Sequence, residues 1–169
     1  DACRTLAALL DMTPQFARVD GIVRRSIEGG ARLVTGGTHE GLFYRPTVLA
    51  DVTTDLPAWT DEIFGPVAPV VVFDTDEEAL ALANDSEYGL AGAVYSRSIS
   101  RGLALAQQIR SGMVHVNDQT VNDEAVIPFG GMGASGNGSR FGGAANWDEC
   151  SQWQWVTVRD EPRSFPYPY

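Results

Sequence analysis

Cysteine is scarce in this chain, with two residues in 169, Cys3 and Cys150. They stand near opposite ends, and neither has a CxxC or Cys/His spacing, so no structural metal is expected. Basic residues are also few. Twelve Lys and Arg against 22 Asp and Glu leave a net charge of -10 and a pI near 4.5, which repels a polyanion and excludes nucleic acid as an expected partner. Long apolar runs are missing: Val67 to Phe73 falls far short of the roughly 20 residues that a bilayer-spanning helix needs, so no membrane partner is expected. No basic segment followed by an apolar run opens the sequence, and the expected location is therefore the cytoplasm, without a signal peptide. A GxGxxG fingerprint after a strand is absent as well, so nothing here reads as a dinucleotide-binding domain.

What is present fits one globular domain spanning 1–169: 44% of residues are hydrophobic and 9% aromatic, enough for a core of ordinary density. Thr13-Pro14 has the form of a helix start, and Phe16, Val19, Val23 and Ile27 recur at three- and four-residue spacing, giving one apolar face. Gly29-Gly30 end that helix. Ala31 to Thr35 reads as a strand. Phe43 to Leu49 reads as another, placed at a sheet edge by Pro46, and the two form a hairpin or meander.

From Val67 to Asp74 the apolar run is continuous, as in a strand covered on both faces. Thr75 and Glu78 have capping-box spacing and begin a helix with Ala79, Leu80, Leu82 and Ala83 on its apolar side. Ala91 to Ser96 is a second strand. Ser98 to Arg110 is a second helix, with Ile99, Leu103 and Ala106 on one side, and Met113 to Val116 is a third strand. Alternation at these lengths predicts an α/β fold with an open parallel sheet and flanking helices, built by two right-handed crossovers. Ligands in such sheets gather at the carboxyl ends of strands, which places Asn117 and Asp118 where binding or chemistry occurs. The glycine-rich loop from Asn117 to Gly143 is long for a compact domain and reads as functional or mobile. Gln152 to Arg159 has Trp153, Trp155, Val156 and Val158 on alternate faces, and is expected to form a last strand. It pairs either within the monomer or on a second subunit. The homodimer is favoured because a bare aromatic edge aggregates.

Several blocks occur in a definite order: Gly29-Gly30-Ala31-Arg32, Tyr44-Arg45-Pro46-Thr47-Val48-Leu49, Asp61 to Pro66, Asn84 to Gly89, and Pro128-Phe129-Gly130-Gly131 with Gly133-Ala134-Ser135-Gly136. Together they resemble the aldehyde dehydrogenases, over the carboxyl-terminal part of the catalytic domain and the oligomerisation tail, which here is 152–169. The stretch His115 to Glu124 and the ending Trp153-Gln154-Trp155-Val156-Thr157 resemble the branch acting on benzaldehyde-type and vanillin-type substrates. The resemblance implies that Glu62 holds the nicotinamide ribose with Phe64 beside it, although both are expected to be vestigial. It also implies that Asn117 lies near a substrate channel which Phe129 lines. A carboxylate suits Glu62's role, because it offers lone pairs to two vicinal hydroxyls.

Neither the family's cofactor domain nor its catalytic cysteine is recognisable in the sequence. Cys3 lacks the glycine-rich setting of that nucleophile, and Cys150 lies on the wrong side of Glu62. The expectation is a truncated homologue that does not oxidise aldehydes alone and uses no cofactor, NAD(P) entering only if a partner supplies the dinucleotide domain. Three classes of function stay open. The favoured one is non-redox acid/base chemistry on, or binding of, a small organic molecule, aromatic or carbonyl-containing. Glu62, His115, Asp123 and Glu124 are its candidate catalytic groups, and Asn117, Asp118 and Phe129 its candidate substrate-binding residues. The others are a partner subunit or pseudoenzyme of a full-length dehydrogenase, and an inactive fragment.

Overall fold

The structure, a computed structural model, describes residues 13–162. Cys3 and the tail from 163 to 169 lie outside them. The chain divides between Ala79 and Leu80 into two compact units.

In the first unit, α1 (Thr13–Glu28) buries Val19, Ile22, Val23 and Ser26. This face is rotated from the expected one, since Ile22 and Ser26 are sealed whereas Ile27 is 36% exposed. Ser26 explains the rotation: its Oγ accepts the Ala58 N–H at 2.9 Å, so a polar residue belongs in this core. Gly30 (φ +117) turns the chain out of the helix, as the glycine pair predicts. Next come β1 (Arg32–Thr35), β2 (His39–Glu40), β3 (Phe43–Tyr44) and β4 (Thr47–Ala50). β1 pairs antiparallel with β4, and the small β2–β3 hairpin lies between them in sequence. The expected edge strand from Phe43 to Leu49 is broken at Arg45-Pro46. Pro46 precedes β4 rather than interrupting it, so β4 is free to be central, between β1 and β5 (Val67–Pro69).

Strand β5 runs parallel to β4. It is shorter than the run to Asp74 implied, and its parallel partner is β4, not the strand that follows in sequence. After the Val70 N–H bonds to Leu49 O and Val70 O accepts from Val52, the ladder stops. Val72 and Phe73 are 74% and 52% exposed, so this segment is not covered on both faces. A short α2 (Pro57–Thr60) delivers Leu56 and Ala58 to the core with Leu49, Val52 and Ile63.

Helix α3 (Asp76–Asn84) spans the division. Its capping forms as the spacing predicts: the Glu78 N–H bonds to Thr75 Oγ1 at 3.1 Å, and the Glu78 carboxylate reaches back to the Asp74 N–H at 2.8 Å. In the second unit, β6 (Ala91–Val94), α4 (Ile99–Ala106) and β7 (Met113–Val116) make the expected crossover, with β6 and β7 parallel. Helix α4 ends four residues early and turns Gly102 and Ala106 inward, leaving Ile99 and Leu103 exposed. Gly102 permits the close packing, because a Cβ there would stand 2.8 Å from Val116 Cγ1. The last regular element among the described residues is α5 (Ala145–Cys150). The strand expected at Gln152 to Arg159 is not formed, since that segment finds no ladder partner among the described residues. Trp153 and Trp155 are fully or almost fully exposed.

Candidate functional site

In the first unit, Glu62 follows α2 on a turn that is anchored from behind. Ile63 is buried. Gln15 Nε2 donates to Phe64 O at 2.7 Å, and Arg18 Nη1 donates to Ile63 O at 3.3 Å. Gly65 lies so close to α1 that a Cβ would meet Val19 Cγ2 at 2.8 Å. Phe64 takes a left-handed conformation (φ 50) and is 77% exposed. Main-chain anchoring thus presents Glu62 and Phe64 to solvent, and the Glu62 carboxylate has no hydrogen bond or ion pair among the described residues. Free lone pairs on a fixed turn fit the role of accepting from ribose hydroxyls.

Also in this unit, Tyr44 OH donates to Asp20 at 3.4 Å, and Asp20 pairs with Arg24 at 2.7 Å. Burial, then the Asp20 charge, pushes the Tyr44 hydroxyl above its ordinary range.

In the second unit, a cavity of about 300 Å³ opens beside β7. Met113, Val114 and His115 form one wall, and Asn122, Asp123, Glu124, Ile127 and Phe129 form the other. A neighbouring cavity of about 360 Å³ shares Asp123, Glu124, Ile127 and Phe129, and adds Phe141 and Asn146. Four of the residues expected in the site, His115, Asp123, Glu124 and Phe129, are therefore brought together. His115 Nε2 is sealed from solvent and has no hydrogen-bond partner among the described residues.

Asn117 and Asp118 are not in these walls. Asn117 (φ 58) is used by the main chain of Ser96, and Asp118 accepts from the Gln119 N–H and the Asn122 amide. Those bonds, with a smaller contribution from nearby His115, hold the Asp118 carboxyl below its ordinary range. Both residues shape the start of the loop.

Phe129 is carried by a glycine-rich hairpin. Its N–H and C=O exchange bonds with Phe141 at 2.7 and 3.0 Å, and the two rings lie 5.3 Å apart at 53°. Sequence reasoning missed Phe141, Asn122, Gln15 and Arg18. The only available signal for Phe141 was an aromatic residue followed by a glycine pair, Gly142-Gly143.

Cys150 is exposed on α5, and among the described residues no three His, Cys, Asp or Glu groups are placed to hold a metal. No described helix is long and apolar enough to cross a membrane.

Residues 8–156 match the aldehyde dehydrogenase family. The chain is 46% identical over 153 residues to a benzaldehyde dehydrogenase [NAD(+)] of Pseudomonas putida, covering 90% of this chain and 31% of that protein. It is 49% identical over 154 residues to a vanillin dehydrogenase of an Amycolatopsis species, covering 90% and 32%. Among solved structures, a salicylaldehyde dehydrogenase from Pseudomonas putida G7 complexed with salicylaldehyde superposes with a TM-score of 0.82 at 36% identity, over 90% of this chain and 31% of that one. The chain thus spans about a third of the length of the curated relatives it matches.

Proposed function

This chain belongs to the aldehyde dehydrogenase family, and from that premise we propose that it forms the substrate side of the catalytic domain of an enzyme oxidising aromatic aldehydes with NAD(P). By themselves, the 169 residues bind the aldehyde and do not oxidise it. The observation carrying this reading is the cavity between β7 and Phe129, where Met113, Ile127 and Phe129 offer an apolar bed of a size suited to one small ring. Relatives named for benzaldehyde, vanillin and salicylaldehyde support the aromatic class.

In this reading NAD(P), when bound, supplies the hydride acceptor, and a thiolate outside these residues supplies the nucleophile. Glu62 would hold the nicotinamide ribose by accepting from its hydroxyls, with Phe64 alongside. Phe129 and Ile127 orient the ring and exclude water from its face. The bare apolar side chains of Trp153 to Val158 support assembly with a second copy through that segment.

The test is NADH formation. Purified chain with NAD+ and benzaldehyde should produce none. Co-expression with the amino-terminal two-thirds of a benzaldehyde dehydrogenase should restore it, and Glu62→Gln should abolish the restored rate. Turnover by the chain alone, or a restored rate indifferent to Glu62→Gln, would overturn the proposal.

A second reading, non-redox acid/base catalysis on a small carbonyl compound, draws on one observation: the same cavity gathers His115, Asp123 and Glu124. Deuterium exchange into the methyl group of acetophenone, lost with Glu124→Gln, would favour it. Exchange no faster than in buffer would reject it.

A further inference from the structure

The hairpin that carries Phe129 has an internal clasp. Arg140 makes no ion pair among the described residues, although the chain as a whole is acidic. Its Nη1 instead lies 3.1 Å from Gly131 O, 3.0 Å from Gly138 O and 2.8 Å from Ser139 O. Two hydrogens serve three acceptors there, so at least one is shared. Gly131 stands two residues after Phe129 on one arm, while Gly138 and Ser139 belong to the return arm. The guanidinium therefore ties the arms together immediately beyond the Phe129–Phe141 bridge.

The surroundings leave this clasp little freedom. Gly130 (φ +156) has no room for a Cβ, which would stand 2.4 Å from Ser139 O and 3.0 Å from Arg140 Cδ. Behind it, a Cβ on Gly112 would stand 1.7 Å from Gly130 O and 3.1 Å from Arg140 Nη2. The hairpin is thus pressed against the start of β7, the strand that forms the opposite cavity wall. Its far end is fixed independently, by bonds from the Met132 N–H to Gly89 O and from the Ala134 N–H to Glu87 O.

We propose that Arg140 is a positioning residue for aromatic recognition: by clasping the carbonyls of Gly131, Gly138 and Ser139, it fixes the Phe129 ring against the β7 wall and so sets the preference for a flat ring over a flexible aliphatic chain. This rests on the aromatic pocket proposed above. Loss of the clasp leaves the tip fixed and frees the base of the hairpin, where Phe129 sits. A planar ring needs a wall at a defined spacing, whereas an aliphatic chain adapts to a looser one.

The experiment uses the full chain in three forms: wild type, Arg140→Met and Arg140→Lys. Benzaldehyde and hexanal serve as probes in titrations followed by amide NMR. Wild type and Arg140→Met contain no lysine, so in those two forms Schiff-base formation is confined to the chain's amino terminus. For Arg140→Lys, borohydride trapping with mass spectrometry identifies any adduct on the introduced amine, so that only reversible binding is scored. Arg140→Met is expected to lower the ratio of benzaldehyde to hexanal affinity by about five-fold, the scale of one ordinary hydrogen bond. Ring-to-ring NOEs between Phe129 and Phe141 should weaken, and Arg140→Lys should restore part of the ratio. A general structural defect would weaken both probes alike and leave their ratio unchanged, which would overturn the proposal. So would an Arg140→Met protein with wild-type NOEs and ratio. Should Arg140→Met fail to fold, the Arg140→Lys protein decides on the same two readouts. Failure of wild-type protein to prefer benzaldehyde would instead sink the aromatic-pocket reading itself.

Discussion

Asn117 and Ser96 are joined by two hydrogen bonds: Asn117 Oδ1 accepts the Ser96 N–H at 2.7 Å, and Asn117 Nδ2 donates to Ser96 O at 2.9 Å. The side chain thus mimics a strand partner, extending the β6–β7 pairing by one step beyond Val116. Its own backbone is already in the left-handed region that asparagine tolerates (φ 58). The residue that starts the loop is therefore a latch between two strand ends. Asn117→Ala should cost roughly 1–2 kcal/mol in urea denaturation, and hydrogen exchange should speed up selectively in residues 117–124. An unchanged midpoint would remove the latch from the account.

The Glu62 turn separates presentation from support. Glu62→Gln should leave stability within about 0.5 kcal/mol, because the exposed carboxylate bonds to nothing that folding needs. Ile63→Ala, one residue on, should cost roughly 2–4 kcal/mol by leaving a hole beside Val19 and Leu56. Equal losses from the two substitutions would show that Glu62 is structural after all.

Gly112 and Gly130 touch too closely for any side chain. Gly112→Ala would drive a methyl group into the Gly130 carbonyl and should destabilise the second unit by roughly 1–3 kcal/mol, shifting Phe129 and Phe141 resonances. If thermal unfolding and both aromatic signals stay as in wild type, the contact between hairpin and β7 is looser than described.

Asp118 makes stability depend on pH in the acid range. Its pKa is lower when folded than unfolded, so the contribution is present above the ordinary carboxylate pKa and is lost as pH falls through the lowered value. Tyr44 has the opposite sense. Its contribution is full below the ordinary phenol pKa and is lost as pH rises through the raised one. Asp118→Asn should flatten the acid limb of a stability profile, and Tyr44→Phe the alkaline limb. Unaltered limbs would contradict the assignment.

Local signals were legible in the sequence where a few neighbouring residues decide the outcome. Thr75 with Glu78, Gly29-Gly30, and Ser98, whose Oγ caps α4 through the Arg101 N–H, all mark element ends that the structure shows. The β6–α4–β7 crossover followed from strand and helix lengths alone. Strand neighbours were less legible, because a strand is defined by its partner: Val71 to Phe73 and Trp153 to Val158 have the right composition and no ladder among the described residues. His115, Asp123, Glu124 and Phe129, singled out by chemistry and order, line one cavity. Asn117 and Asp118 were read as ligand-facing, and in the structure their polar atoms bond locally, Asn117 to the Ser96 main chain and Asp118 to the Gln119 N–H and the Asn122 side-chain amide. Arg140 was missed because a guanidinium that bonds carbonyls leaves no charge pattern in the sequence, only a lone basic residue after a run of glycines.

Benzaldehyde titration of the intact chain, followed residue by residue through amide NMR, tests the central claim most directly. The account predicts saturable shifts confined to residues 112–115 and 122–131, and Phe129→Ala should weaken the affinity by about five-fold or more. Shifts that fail to saturate, or that map to the first unit or to Trp153 and Trp155 while residues 112–115 stay still, would contradict it.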